Sequence, residues 1–157
     1  MPESKQGALI LEPGGGRLIH LGIFTMSVKA TADDTGAAFS LLEATEPAGF
    51  GPPMHIHHNA AEAFYVLDGE YIVFLEEREY VCPTGTFIYI PAGLRHGFRV
   101  GNAPSLKLNL YSPAAMVGYF DVLKALLAAP EPDAARLDEM ASRYGMEVVG
   151  EVPEGYV

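Results

Sequence analysis

Cysteine occurs once, as Cys82, so an internal disulfide is excluded and a reducing compartment is the natural fit. Basic side chains are also few. Ten Lys and Arg against twenty Asp and Glu leave a net charge of −10, and the ten form no cluster. Phosphate backbones are gripped by concentrated Lys and Arg, so nucleic acid is not an expected partner. Long apolar runs are missing too. Ala8–Leu11 is cut short by Glu12-Pro13-Gly14-Gly15-Gly16 and cannot serve as the apolar core of an export signal. The segment from Ala114 to Pro130 carries Asp121 and Lys124 near its middle, which argues against a membrane span. The expectation is a cytoplasmic protein with no membrane and no nucleic-acid partner. Charge of any kind is modest, at 19% of residues against 49% hydrophobic, a globular composition and not a disordered one. At 157 residues the chain is expected to form one domain, 1–157, whose core needs no staple to fold.

What is present reads as strands first and helices last. Leu18–Lys29 and Ala37–Thr45 are strand-like, with Asp33, Asp34 and Gly36 as turn residues between them. Pro47 to Pro53 is a Gly- and Pro-rich loop. Ala63–Leu67 and Tyr71–Leu75 flank Asp68-Gly69-Glu70, a hairpin signal because a tight turn needs positive φ. Thr86–Ile90, His96–Val100 and Ser105–Tyr111 follow, separated by Pro83-Thr84-Gly85 and Pro91-Ala92-Gly93. Many short strands with frequent turns predict an all-β sandwich or barrel, its core over about 18–111. Several strands are apolar on both faces, so one face must be covered by helices or a second subunit. Ser112 as N-cap and Pro113 in the first turn predict a helix with Met116, Phe120, Leu123 and Leu127 as its stripe. Asp133 then caps a second helix that ends at Gly145, giving a helical segment over about 113–145. The tail Met146–Val157 is expected to be irregular or a short edge strand.

Four residues carry the chemistry. His55 and His57 are two apart, so on a strand both leave the same face. Glu62 follows after a short bend and His96 lies on another strand. Three imidazoles and one carboxylate suit a divalent transition metal: iron, manganese, nickel, cobalt, copper or zinc. They do not suit calcium, which prefers oxygen. A carboxylate beside a bound substrate can also take a proton, so Glu62 is the candidate catalytic base as well as a ligand.

These residues sit in a longer pattern. Gly49-x5-His55-x-His57-x4-Glu62-x6-Gly69 and, fifteen residues on, Gly85-x5-Pro91-x-Gly93-x2-His96 resemble the two motifs of the cupin superfamily. Val100 departs from the second motif, which usually ends in Asn there. The helical end also looks like small monocupins of the quercetin 2,3-dioxygenase-like kind. The resemblance implies a double-stranded β-helix, or jelly-roll barrel, with C-terminal helices, often a homodimer. It implies one divalent transition metal per chain on His55, His57, Glu62 and His96. The activity it implies is dioxygenase cleavage of an aromatic or enolic, flavonol-like small molecule. A non-oxidative isomerase, decarboxylase or hydrolase using the same metal is the first alternative, and a binding or sensing module without turnover is the second.

For most histidines the plain alternative, a structural or surface residue, wins. His58 has the wrong strand parity for the ligand set and His20 is expected to be structural. Arg95 and Arg99 are expected to be ordinary exposed cations. Tyr65, Tyr71, Tyr89, Phe64, Phe74, Phe87 and Phe98 can line an apolar pocket or pack a core. The Met116–Leu127 stripe can be core or lid. Cys82 reads as a buried small residue.

Overall fold

The computed structural model describes residues 3–5 and 7–152. A short two-stranded sheet, β1 (Glu3–Lys5) and β2 (Ala8–Ile10), precedes the main body. β3 (Arg17–His20), β4 (Thr25–Ala30), α1 (Ala32–Thr35), β5 (Ser40–Glu46) and β6 (Met54–His57) follow. Next come β7 (Ala61–Asp68), β8 (Glu70–Leu75), β9 (Arg78–Pro83), β10 (Phe87–Ile90), β11 (His96–Val100) and β12 (Ser105–Ser112). The chain closes with α2 (Val117–Leu127), α3 (Ala134–Arg143) and β13 (Met146–Gly150). No helix among the described residues is long and apolar enough to cross a membrane.

Two antiparallel sheets face one another as a barrel. One runs β10-β7-β12-β5-β4-β3, the other β13-β6-β11-β8-β9. Period-2 alternation builds the inside. Phe64, Val66, Tyr71, Val73, Ile88, Ile90, Phe98 and Val100 form one buried cluster within the barrel. A second cluster joins Met26, Leu42 and Ala44 of the large sheet to Tyr119 and Phe120 of α2 and Ala141 of α3. The mostly-β expectation with C-terminal helices therefore holds.

Several local expectations change. The segment 18–29 is a hairpin and not one strand: β3 and β4 pair through Arg17↔Val28 and His20↔Thr25. Asp68-Gly69-Glu70 is not a hairpin turn, because β7 and β8 lie in different sheets. It is the corner where the chain crosses over, with Gly69 at φ 85°. A Cβ there would stand 2.1 Å from Ser105 Oγ, and the Glu70 N–H donates to that same hydroxyl at 3.0 Å. The first C-terminal helix begins at Val117, five residues beyond the expected Ser112 cap. Residues 113–116 are diverted to pin the helix to the barrel. Ala114 N–H donates to Ala37 O, and the Ser40 hydroxyl donates to Ala115 O at 2.7 Å. Asp133 caps α3 as expected, accepting from the N–H groups of Ala135 and Arg136, and Gly145 follows at φ 75°. Of the tail, β13 is an edge strand on β6, and residues 153–157 lie outside the described residues.

Candidate metal centre

The four expected ligands meet inside the barrel, although they come from three strands and both sheets. His55 and His57 share the inner face of β6, and His96 stands directly opposite His55 on β11. Glu62 reaches in from β7 of the facing sheet, where it pairs with Tyr111 and Ile90. All four are buried, and their ligand atoms lie within 4.8 Å of one another. An ion with bonds of about 2.1 Å spans about 4 Å across its ligands, so the cluster is of the right size.

The donor chemistry fits an ion as well. His55 Nδ1 and His96 Nδ1 each donate to a backbone carbonyl, Pro53 O and Leu94 O, both at 2.8 Å. Those bonds turn Nε2 of each ring inward, which is the usual way a protein orients a histidine ligand. His57 Nε2 is buried with no hydrogen-bond partner. It stands 3.3 Å from Glu62 Oε1 but out of line for a hydrogen bond. A buried nitrogen left so costs free energy unless something else meets it. Glu62 Oε1 accepts from His96 Nε2 at 2.8 Å, and Oε2 accepts from Asn109 Nδ2 at 2.8 Å.

Protonation follows from this packing. Burial, with the neighbouring His96 adding to it, lowers the His55 pKa to about 3, so that ring is neutral and its lone pair free for a ligand bond. Burial also pulls His96 down, but the hydrogen bond and charge of Glu62 more than offset it, and the pKa is raised. Burial pushes Glu62 up, and the His57 and His96 partners outweigh it, leaving the carboxyl well below its usual value. Tyr111 is buried beside Glu62. Burial and then the Glu62 charge raise its pKa far above the usual phenol value, so it is a neutral donor.

His55, His57 and Glu62 lie on the wall of a cavity of about 370 Å³, lined by Phe24, Phe50, Phe64, Phe98 and Tyr111, with Met116 at the N-cap of α2 and Phe120, Leu123 and Leu127 within it closing the cavity. The helical stripe is thus both packed core and cover. Of the aromatic residues expected near a pocket, Phe64 and Phe98 line it. Tyr65, Phe87 and Tyr89 do not: they are exposed at 43%, 63% and 59%. Phe74 packs on the outer face of the small sheet with Met54, Ile72 and Val152. Tyr71 is buried and its hydroxyl donates to Glu46 Oε1 at 2.8 Å. His58 points outward to Glu147 at 3.0 Å, His20 is exposed beside Thr25, and Arg95 is exposed beside Glu76. Arg99 lies over the Phe74 ring, 5.9 Å from its centroid. Cys82 is buried, which raises its thiol pKa. Val100, where the motif usually has Asn, fills the barrel core.

Sequence reasoning missed a polar group in the same cavity wall: Glu46, Lys107 and Asn109. Lys107 Nζ stands 3.3 Å from Glu46 Oε1 and donates to Asn109 Oδ1 at 3.2 Å. The rings of Phe98, Phe64 and Tyr71 surround it at 4.5, 4.8 and 5.6 Å to their centroids. The signal was the alternation Ser105-Leu-Lys-Leu-Asn-Leu-Tyr111 in β12. It reads as a strand with its leucines inward, and the reverse is true.

Fold and site together define a small β-barrel protein with a buried three-histidine, one-carboxylate cluster that could hold a metal ion. Residues 41–108 match the Cupin domain family model, so this part of the barrel is similar to cupin domains. Over 100 residues, 64% of this chain, the sequence is 30% identical to quercetin 2,3-dioxygenase of Bacillus subtilis. That match spans 29% of the Bacillus protein's length. It is 29% identical over 102 residues to an uncharacterized protein of Methanocaldococcus jannaschii, covering 64% of this chain and 70% of that one. The fold is similar to that of an RmlC-like cupin from Shewanella frigidimarina, with a TM-score of 0.60 at 16% identity over 73% of this chain and 96% of that one.

Proposed function

We propose that the protein is a metal-dependent dioxygenase acting on an apolar aromatic or enolic small molecule. The observation that carries this reading is the convergence of three imidazoles and one carboxylate, one nitrogen of them unpartnered, with His55, His57 and Glu62 opening on an apolar cavity of about 370 Å³. His55, His57, Glu62 and His96 would hold one divalent ion. When bound, the ion supplies open positions at which vicinal oxygens of a substrate and dioxygen can be brought together. The rest falls to the chain. The aromatic and aliphatic walls take up the apolar body of the substrate and exclude water. Glu62, ionised in the resting site, takes the proton of a substrate hydroxyl. Neutral Tyr111 beside it donates a hydrogen bond to the carboxylate or to the substrate oxygen that replaces it. The similarity to a quercetin 2,3-dioxygenase supports flavonol-like substrates as the first to try.

One observation favours a second reading. Glu62 and Tyr111 stand side by side on β7 and β12, a carboxylate and a phenol that an isomerisation or decarboxylation would use to hold and orient its substrate, with the same ion as Lewis acid. We further propose a homodimer. Leu106, Leu108 and Leu110 face outward on β12 beside exposed Tyr65, Phe87 and Tyr89, and such a patch is expected to be covered.

Elemental analysis of protein purified without chelator or nickel resin tests the centre. Near-stoichiometric iron, manganese, nickel, cobalt or copper, with oxygen uptake on adding flavonols or other vicinal oxygen compounds, is the expected result. Zinc with no oxygen uptake would transfer the assignment to the non-oxidative reading. No metal after reconstitution under reducing conditions would overturn both.

A further inference from the structure

The inner face of β12 carries Ser105, Lys107, Asn109 and Tyr111, all buried, while leucines occupy its outer face. Three contacts link this row to the metal cluster. Lys107 Nζ donates to Asn109 Oδ1 at 3.2 Å, Asn109 Nδ2 donates to Glu62 Oε2 at 2.8 Å, and Glu62 Oε1 faces His57 and His96. An ammonium can only donate and an ionised carboxylate can only accept. A side-chain amide between the two has one workable orientation, oxygen to Lys107 and nitrogen to Glu62. Lys107 is itself held by Glu46 at 3.3 Å and by three aromatic rings.

We infer that Asn109, oriented by Lys107, is a positioning residue that holds Oε2 of Glu62 so that Oε1 is the oxygen presented to the histidines. The inference rests on the reading of His55, His57, Glu62 and His96 as a metal site. A glutamate has two equivalent oxygens and rotatable bonds to its carboxyl. Left alone it can bind through both oxygens or swing away. A donor fixed on one oxygen removes that choice, and partners of this kind set the affinity and geometry of metal sites. A buried ion pair is no source of stability compared with apolar packing, so stability alone does not account for Lys107 and Glu46 in the cavity wall. Tyr111 also lies against Glu62, paired with it across β12 and β7, so the loss on removing Asn109 is graded and not total.

The test is a cobalt(II) titration of chelator-stripped protein, followed by calorimetry and by the visible absorption of the bound ion. Wild type, Asn109→Leu, Lys107→Met and the double variant are compared, with circular dichroism and thermal melting as fold controls. Asn109→Ser, whose hydroxyl is too short to reach Glu62, replaces Asn109→Leu if the latter does not fold. Lys107→Met/Glu46→Leu likewise replaces Lys107→Met, removing the pair as a unit. The expected result is about a 10- to 100-fold weaker cobalt affinity for Asn109→Leu, with a changed visible spectrum and a smaller loss for Lys107→Met. The double variant is expected to be no weaker than Asn109→Leu alone, because Lys107 acts through the amide. Wild-type affinity and spectrum in a folded Asn109 variant would overturn the inference, and so would losses that simply add. Wild type that binds no cobalt would instead overturn the metal reading beneath it.

Discussion

Two buried charged clusters share one barrel wall, and they are finished differently. In the Glu46–Lys107 cluster the charges cancel. Tyr71 donates to Glu46 and Lys107 pairs with it as a cation, while Lys107 also donates to Asn109 and faces three aromatic rings. In the His55–His57–Glu62–His96 cluster one imidazole nitrogen has no partner, and His96 is hydrogen-bonded to Glu62, whose charge raises the His96 pKa. A cluster closed on itself can orient its neighbours. An open one is built for a ligand that is not a protein side chain.

The largest expected effect comes from attacking the open cluster. His57→Ala should reduce metal content from near-stoichiometric to background by elemental mass spectrometry. The melting temperature of the metal-free protein should barely move, since the lost nitrogen had no partner. The closed cluster should behave in the opposite way. Lys107→Met leaves Glu46 buried without its cation and should cost about 3–5 kcal/mol by denaturant unfolding of the metal-free protein. Adding Glu46→Leu should recover most of that. If Lys107→Met is harmless and His57→Ala unfolds the protein, the distinction between the two clusters is wrong.

Acidity gives a sharper test. His96 has a raised pKa in the metal-free fold, so its proton stabilises that fold below the unfolded value of about 6.5 and ceases to help as pH rises through the folded value. Glu62 has a depressed pKa, so its contribution is present above about 4.5 and is lost as pH falls through the folded value. A metal competes with the His96 proton. Metal affinity should therefore climb with pH until the raised His96 pKa is passed, then level off. Below the raised His96 pKa, calorimetry in buffers of different ionisation enthalpy should detect proton release on ion binding. An affinity independent of pH would mean that His96 is not displaced from its hydrogen bond. The smallest effect is expected on the surface. Arg17 and Asp121 form a bridge at 2.7 Å with side chains 53% and 44% exposed. Arg17→Ala should cost no more than about 1 kcal/mol in the same unfolding assay.

Much of the site was legible because its signals are local. The pairing of His55 and His57 on one face needs only strand geometry, and the spacing of the glycines, Glu62 and His96 carries the rest. Strand identity was legible for the same reason. Where reading failed, the deciding contact was distant. Asp68-Gly69-Glu70 has the chemistry of a hairpin, but the strands on either side take partners in different sheets. Ser112-Pro113 has the chemistry of a helix start, but contacts to Ala37 and Ser40 hold the chain in bends, out of the helix, until Met116. Phe87 and Tyr89 have the character of core residues and lie outside, while Lys107 has that of a surface residue and is fully buried.

The sequence by itself pointed to most of the strands and to the residues that can bind a metal, and its resemblance to cupins pointed to a barrel that would hold them. Tertiary structure alone decided which face of each strand turned inward, and so whether β12 gave the cavity its leucines or its Lys107, Asn109 and Tyr111. The physical reason is symmetry. An alternating strand presents two faces of fixed character, and nothing within the strand itself says which one meets the partner. That choice is made by the strands that β12 meets on folding: Glu46 on β5, Glu62 and Phe64 on β7, and Tyr71 and Phe98 of the facing sheet offer a buried lysine, amide and phenol the partners that leucine could not use.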